Sequence, residues 1–180
     1  ASLWYTHGDV NGISFWHVAK GTGEIVHEKF LELEGNVIAT RNKWVGPKGE
    51  VVCRDERRLS FSAEGKDRAI DISIKLIADG GDVIFGDTKE GSMGIRSNPV
   101  LRLRGEVAKG KAVNNEGVEG KAIWGKRAAW VSYWAPFKGG VTGFSIFDHP
   151  TNLRHPTWWH ARDYGLVAAN PFGIHNFEKK

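Results

Sequence analysis

Short runs of alternating apolar and polar residues, separated by turn-forming residues, constrain the fold of this chain more than any other feature. Isoleucine or leucine occupies every second position from Ile70 to Leu76, which is the pattern of a strand with one buried and one wet face. We assign this strand to residues 68–78. Similar runs cover residues 24–33, 37–45, 51–61, 92–103, 130–135 and 141–147, and each predicts a strand.

Turn signals separate these predicted strands. Residues that tolerate positive φ cluster at 46–49, 79–82 and 138–140, and glycine accounts for 23 of the 180 residues, near twice the usual share of about 7%. Residues 109–126 carry few apolar side chains and predict a long surface loop. The pattern predicts an all-β fold, an antiparallel β-sandwich, built as a single domain over residues 1–180.

Composition excludes several classes of protein. Hydrophobic residues make up 41% and charged residues 26% of the chain, which is typical of a globular protein. No stretch approaches the ~18 to 20 apolar residues of a membrane helix, so we expect a soluble protein. The net charge of +4 is spread over interleaved acids and bases, which argues against nucleic-acid binding. Cys53 is the only cysteine and cannot form an internal disulfide.

The tryptophans suggest a carbohydrate ligand. The chain has 8 tryptophans, and Trp158 lies in a segment rich in His, Arg and Pro. A sugar ring presents a C–H face that stacks on an aromatic ring, and its hydroxyls bind polar side chains at the rim. The alternative for any one Trp is a place in the core. If Trp158 and Trp159 lie in a strand, they point to opposite faces, so at most one meets a ligand.

Histidines concentrate in the last third of the chain, at His149, His155, His160 and His175. Near the amino terminus, His7 and Asp9 form a further candidate pair. Imidazole serves both acid–base catalysis near neutral pH and metal binding. The spacings match no metal-binding motif, so we expect neither a metal nor another cofactor.

A third candidate group lies in residues 87–96. The group consists of three residues in a predicted turn, Asp87, Lys89 and Glu90, and of Arg96 near the start of the strand that follows. A carboxylate here can act as a base while the guanidinium binds an anionic or hydroxyl-rich ligand. The alternative is a solvated turn.

Several of these segments together resemble a bacterial domain family of unknown function, DUF6807-like, that carries the label methane oxygenase PmoA. The likeness rests on LWYTHGDVNG (3–12), GDTKEGSMGIR (86–96), DHPTN (148–152), HPTW (155–158) and NP (170–171). Family members are usually longer at the amino end, so the resemblance implies that this chain is the C-terminal part of the family's domain. Missing amino-terminal strands would leave a sheet edge for another chain or a second copy to cover.

The resemblance also implies an architecture and a substrate class. The family is similar to antiparallel β-sandwiches of the galactose-mutarotase kind, and its members accompany sugar oxidoreductases. A membrane methane monooxygenase subunit carries transmembrane helices, so we set the function in the label aside. No catalytic residues are established for the family.

The leading hypothesis is an enzyme that acts on a sugar or oxidised sugar derivative by acid–base chemistry, as in epimerisation, elimination or hydrolysis. The alternatives are a non-catalytic sugar-binding module and, ranked last, an Fe- or Cu-dependent oxygenase. The catalytic candidates are His149, His155, His160, Glu90 and Asp87, and the substrate-binding candidates are Lys89, Arg96, Arg154, Arg162, Trp158, His7, Asp9 and Asn170. We expect a small-molecule carbohydrate as partner, neither nucleic acid nor membrane, and a periplasmic or cytoplasmic location.

Overall fold

The contacts within the chain divide it into two compact units. In the computed structural model, which describes residues 2–174, one unit comprises Ala1–Gly8 with Gly86–Lys180, and the other comprises Asp9–Phe85. We call them the sandwich unit and the meander unit. That residues 1–180 form a single domain stays a prediction.

Almost all regular structure in the described residues is β. The strands are β1 (Ser2–His7), β2 (Glu24–Glu34), β3 (Val37–Val45), β4 (Val51–Glu64), β5 (Asp67–Ile77), β6 (Gly91–Arg96), β7 (Lys111–Asn114), β8 (Trp130–Phe137), β9 (Gly140–Phe147), β10 (Trp158–Ala161) and β11 (Leu166–Asn170). Two short 3₁₀ helices cover Pro99–Leu101 and Gly120–Ile123. No helix among residues 2–174 is long and apolar enough to cross a membrane.

The meander unit is a single antiparallel sheet in the order β2-β3-β4-β5. Tight turns at Gly35 and Gly65, both at positive φ, connect its strands, since glycine adopts that conformation without a Cβ clash. The ring of Trp44 is fully buried and packs against Phe15 and Phe85. This aromatic group forms the core of the unit.

A buried carboxylate ties the strands of this sheet together. Asp55 is inaccessible to solvent and accepts hydrogen bonds from Asn42 Nδ2 at 2.8 Å and from Trp44 Nε1 at 2.6 Å. The Arg57 guanidinium donates to both carboxylate oxygens at 2.8 Å. The carboxylate is therefore fully hydrogen-bonded, as a buried charge must be.

The sandwich unit consists of two antiparallel sheets, ordered β1-β6-β11-β10 and β7-β8-β9. Their facing residues form one hydrophobic core, because Val131 and Tyr133 of β8 cluster with Trp159 of β10 and Val167 of β11. Facing sheets around one core define a β-sandwich. The prediction of an all-β sandwich is confirmed.

Strand bounds agree with the predictions where alternation is clear, and differ elsewhere for physical reasons. Residues 37–45 form β3 as predicted, whereas the strand predicted at 92–103 ends at Arg96. After Arg96 the Asn98 side chain accepts a hydrogen bond from Val100 N. Pro99 then begins a 3₁₀ helix, which ends the extended backbone. The surface loop predicted at 109–126 is wrong in part, because this segment contains β7 and buries Ala112 and Ile123 in the core.

We predict that Asp55→Ala destabilises the chain by about 3 kcal/mol or prevents folding, because it removes the carboxylate that accepts from both the partly buried Arg57 guanidinium and the buried Trp44 N–H. Urea unfolding followed by fluorescence measures this loss. The control is Glu56→Ala on the same strand, which removes a partly exposed ion pair with Arg41 and should cost far less. Equal losses in both variants would contradict the role given to Asp55.

Candidate functional site

Four chain-distant segments meet at one end of the four-stranded sheet of the sandwich unit. His7 ends β1 and pairs with Gly91, which begins β6, while Trp158 begins β10 and pairs with Asn170, which ends β11. Because neighbouring strands run antiparallel, these strand ends lie side by side. We call this end the motif edge, since four of the segments that carry the family resemblance pass through it, at His7, Gly91, Trp158 and Asn170.

His7 is buried at the motif edge and its tautomer follows from its partners. Its Nε2 lies 2.8 Å from the carbonyl oxygen of Gly86, and its Nδ1 lies 3.3 Å from Ser92 Oγ. A carbonyl can only accept, so Nε2 carries the proton and Nδ1 accepts from the hydroxyl. A Cβ at Gly91 would lie 2.3 Å from this Nδ1, so the close approach requires glycine there. His7 therefore holds the 86–92 segment in place.

Asn170 holds the same segment from the other side. Its side chain is fully buried, its Nδ2 donates to the carbonyl of Thr88 at 2.7 Å, and its Oδ1 accepts from the backbone N–H of Phe172 at 3.2 Å. Within the segment, Thr88 Oγ1 donates to Glu90 Oε2 at 2.8 Å, and Lys89 Nζ lies 3.4 Å from Glu90 Oε1. The Glu90 carboxylate is therefore fixed by two partners.

His160 lies beneath this segment and is almost inaccessible. Only 3% of the residue is exposed, and burial lowers the pKa of its imidazole to about 4, an effect that Glu90 opposes and Arg162 and Lys89 reinforce. The ring is hydrogen-bonded to the backbone of Lys89. At neutral pH His160 is thus a neutral, buried support for the segment that carries Lys89 and Glu90.

A second segment, residues 148–157, contains a carboxylate–imidazole pair. Asp148 is buried, and its Oδ2 accepts from His155 Nδ1 at 2.7 Å and from the backbone N–H of Thr157 at 2.9 Å. Its Oδ1 accepts from Asn152 Nδ2 at 2.8 Å. The His155 side chain remains 23% exposed. Because Nδ1 donates to the carboxylate, the lone pair of Nε2 is left for another partner.

Two arginines attach this second segment to the motif edge. Arg154 donates to the carbonyl of Pro171 at 3.0 Å, directly after the Asn170 amide that holds residues 86–92. Arg127 donates to the carbonyls of Pro156 and Arg154, and its guanidinium lies 4.4 Å from the ring centroid of Trp158. Residues 170–171 therefore contact both the 86–92 segment and the 148–157 segment. These contacts bring Glu90 and His155 into the same part of the unit.

Of the other predicted residues, some lie outside the 86–92 and 148–157 segments and others are exposed within them. Arg96 ends β6, far from Glu90 along the strand, and its guanidinium and that of Arg162 lie over the ring of Tyr164. Asp9 belongs to the meander unit, where its Oδ1 accepts from Gly12 N. His149, in the 148–157 segment, is exposed and contacts Thr151 Oγ1 at 2.9 Å. Asp87, in the 86–92 segment, is also exposed. His175 lies outside the described residues.

The paired tryptophans behave as a strand requires. Trp159 is buried in the core, whereas Trp158, on the opposite face of β10, keeps some exposure.

The most important residue missing from the sequence-based list is Asp148. Its place in the DHPTN segment was the available signal, but no spacing rule pairs a carboxylate with a histidine seven residues later.

The arrangement can transfer a proton. A buried carboxylate that orients an accessible imidazole stabilises the positive charge when Nε2 accepts a proton. Among residues 2–174, no group of three or more His, Cys, Asp and Glu side chains is placed to hold a metal ion.

The fold and this edge describe an all-β protein with a polar, histidine-containing site. The whole chain, residues 1–180, matches the sequence model of DUF6807, a family of unknown function, and the chain belongs to that family. No curated protein and no solved structure matches it. The C-terminal position within a longer family domain and the likeness to galactose mutarotases stay predictions.

We predict that His160 makes stability depend on pH. The unfolded chain binds a proton at this imidazole below about pH 6.5, whereas the folded chain does so only near pH 4. Stability contributed by the neutral ring is therefore complete above about pH 6.5 and falls as the pH drops towards 4, by about 3 kcal/mol in all. Urea unfolding across this window should show a steeper loss for the native chain than for His160→Gln. Parallel profiles would contradict the assignment.

Proposed function

We propose that the chain is a carbohydrate-active enzyme that acts on a sugar or an oxidised sugar derivative by acid–base chemistry, with His155 as the proton-transfer group. The observation that carries the proposal is the pair formed by buried Asp148 and accessible His155. Nε2 takes a proton from a sugar hydroxyl, a water or an acidic C–H group, and the Asp148 carboxylate stabilises the resulting imidazolium.

The surroundings of His155 support a polar, hydroxyl-rich substrate. Arg154 is exposed next to His155. Trp158 lies three residues after His155, and the Arg127 guanidinium stacks on its ring. Guanidinium groups donate to hydroxyl and carboxylate oxygens, and indole rings stack on the C–H faces of sugars. Glu90, fixed by Thr88 and Lys89, is the candidate second carboxylate on the neighbouring segment.

The roles of the histidines differ in this proposal. His155 combines exposure with an orienting carboxylate, whereas His160 and His7 are buried and bound to the 86–92 segment. We therefore assign catalysis to His155 and positioning to His160 and His7. The remaining alternative, a sugar-binding protein without catalysis, uses the same Arg and Trp side chains and does not need His155.

The first experiment measures the thermal midpoint across mono- and disaccharides, sugar acids and keto-sugars. A ligand at about 100 times its dissociation constant stabilises the fold by ~2.7 kcal/mol, which raises the midpoint by several degrees for a chain of this size. Products formed from any stabilising sugar are then followed by NMR. The absence of a shift with every sugar, in protein that melts cooperatively, would contradict the proposal.

We predict that His155→Gln lowers turnover at least about 100-fold while the stabilising sugar still raises the thermal midpoint. Asp148→Asn should also lower turnover, and it should change the pH profile, because the amide no longer stabilises the imidazolium. The matched control is His27→Gln on β2, which should keep full turnover. A His155→Gln variant as active as the native chain would overturn the catalytic role, and a chain that binds sugar without turnover would favour the binding module.

A further inference from the structure

The sheet formed by β7, β8 and β9 carries its aromatic residues on both faces. Along β8, Val131, Tyr133 and Ala135 are buried in the core, so Trp130, Ser132 and Trp134 point to the opposite, outer face. In β9 the residue opposite Trp130 is Phe147, and the residue opposite Trp134 is Gly143. An antiparallel sheet normally places polar residues on its wet face, whereas this one also places two tryptophans and a phenylalanine there.

The outer face is open to solvent along β9 and half-buried along β8 at Trp130, Ser132 and Trp134. Phe147 is 72% exposed and Val141 is 75% exposed, and no residue on this face of the three described strands is buried. Exposed apolar patches of this kind mark binding surfaces. We define the aromatic face as Trp130, Ser132, Trp134, Val141, Gly143, Ser145 and Phe147.

The spacing of the rings fits an extended ligand. Trp130 and Trp134 lie four residues apart on one strand, or ~13 Å at about 3.3 Å per residue. Between them lies the row formed by Ser132 and Ser145, whose hydroxyls are hydrogen-bonded to each other. Gly143 has no side chain to cover the neighbouring Trp134 ring. Along β8 the face therefore presents one indole ring, then a pair of hydroxyl groups, and then a second indole ring.

From this arrangement we infer that the aromatic face binds an extended β-1,4-linked polysaccharide. Such a chain is a narrow ribbon whose successive sugar rings expose C–H faces for the two indoles, and its hydroxyls meet the serine row. Lys111, opposite Trp134 on β7, adds hydrogen-bond donors at the rim. The aromatic face ends at Phe147, the residue before Asp148, but the inference does not depend on the acid–base proposal.

Size and charge argue against the other occupants of an aromatic surface. Two strands of eight residues and one of four present only about 300 Å², whereas a stable protein interface takes about 800 Å² from each partner. Single-stranded nucleic acid also stacks on aromatic rings, but it requires a positively charged groove. The seven residues of the aromatic face carry no charge, and among the described residues of β7 the charged side chain beside it is Lys111. A neutral, ribbon-shaped polymer needs neither a large contact area nor a positively charged groove.

The test is affinity electrophoresis of the full 180-residue chain through gels containing hydroxyethyl cellulose, xylan or glucomannan, together with depletion by insoluble cellulose and chitin. At least one of these polymers should retain the native chain. Trp130→Thr and Trp134→Thr should each weaken retention at least about fivefold, and the double variant should abolish it. Threonine keeps the strand propensity at these sites, and an unchanged thermal midpoint verifies folding.

Two controls keep this result separate from the acid–base site. Phe137→Thr removes an exposed aromatic ring from the same hairpin but not from the aromatic face, and it should bind as the native chain does. His155→Gln should also keep full retention. Retention lost in His155→Gln but unchanged in the tryptophan variants would place the polymer at the acid–base site and overturn this inference alone.

Three further outcomes would overturn the inference. The native chain can pass unretarded through every polymer, or the tryptophan variants can be retained as strongly as the native chain. The third is a concentration-dependent dimer in sedimentation that Trp134→Thr abolishes, with no polymer bound, which would make the face an interface between two copies of the chain.

Discussion

The antiparallel pairing of β1, β6, β11 and β10 is the constraint on which the site depends. Each of these strands begins or ends at the motif edge, so segments separated by up to 163 residues in sequence, from His7 to Asn170, become neighbours. The backbone hydrogen bonds between the paired strands are enough to bring these segments together, without any contribution from side chains. Side-chain hydrogen bonds then fix the loops that extend from the edge, as Asn170 does for Thr88 and Arg154 does for Pro171.

This edge concentrates polar groups in a place where burial is costly. Leaving a buried donor or acceptor unpaired costs about 1–3 kcal/mol, and the contacts of His7, Asn170 and Asp148 offset that cost with named partners. The sheets could be held together by apolar side chains at lower cost, as the core around Trp159 shows. A buried polar network at the motif edge is therefore better explained by the geometry it imposes on partly exposed groups such as His155.

The sequence predicts the longer strands with clear alternation and misses strands that are short, such as β7, or continuously buried, such as β11. Alternation predicts β3 at 37–45 and closely predicts β9, whereas β11 is buried along nearly its whole length and gives an apolar run without a period. The same limit applies to the site. The composition identifies His155 and His160 as equivalent candidates, but only the fold shows that one faces solvent beside Asp148 and the other is buried under Lys89.

Burial also separates the two kinds of aromatic residue in the sandwich unit. On β10 the neighbouring tryptophans divide between core and surface as the strand period requires. On β8 the same period puts a valine, a tyrosine and an alanine inside and two tryptophans outside. Hydrophobicity alone would place the large indoles inside, where they would contribute most to stability. Because smaller residues fill the core and the indoles lie half-buried on the outer face, core packing does not explain the outward tryptophans, whereas the proposed polysaccharide surface requires them there.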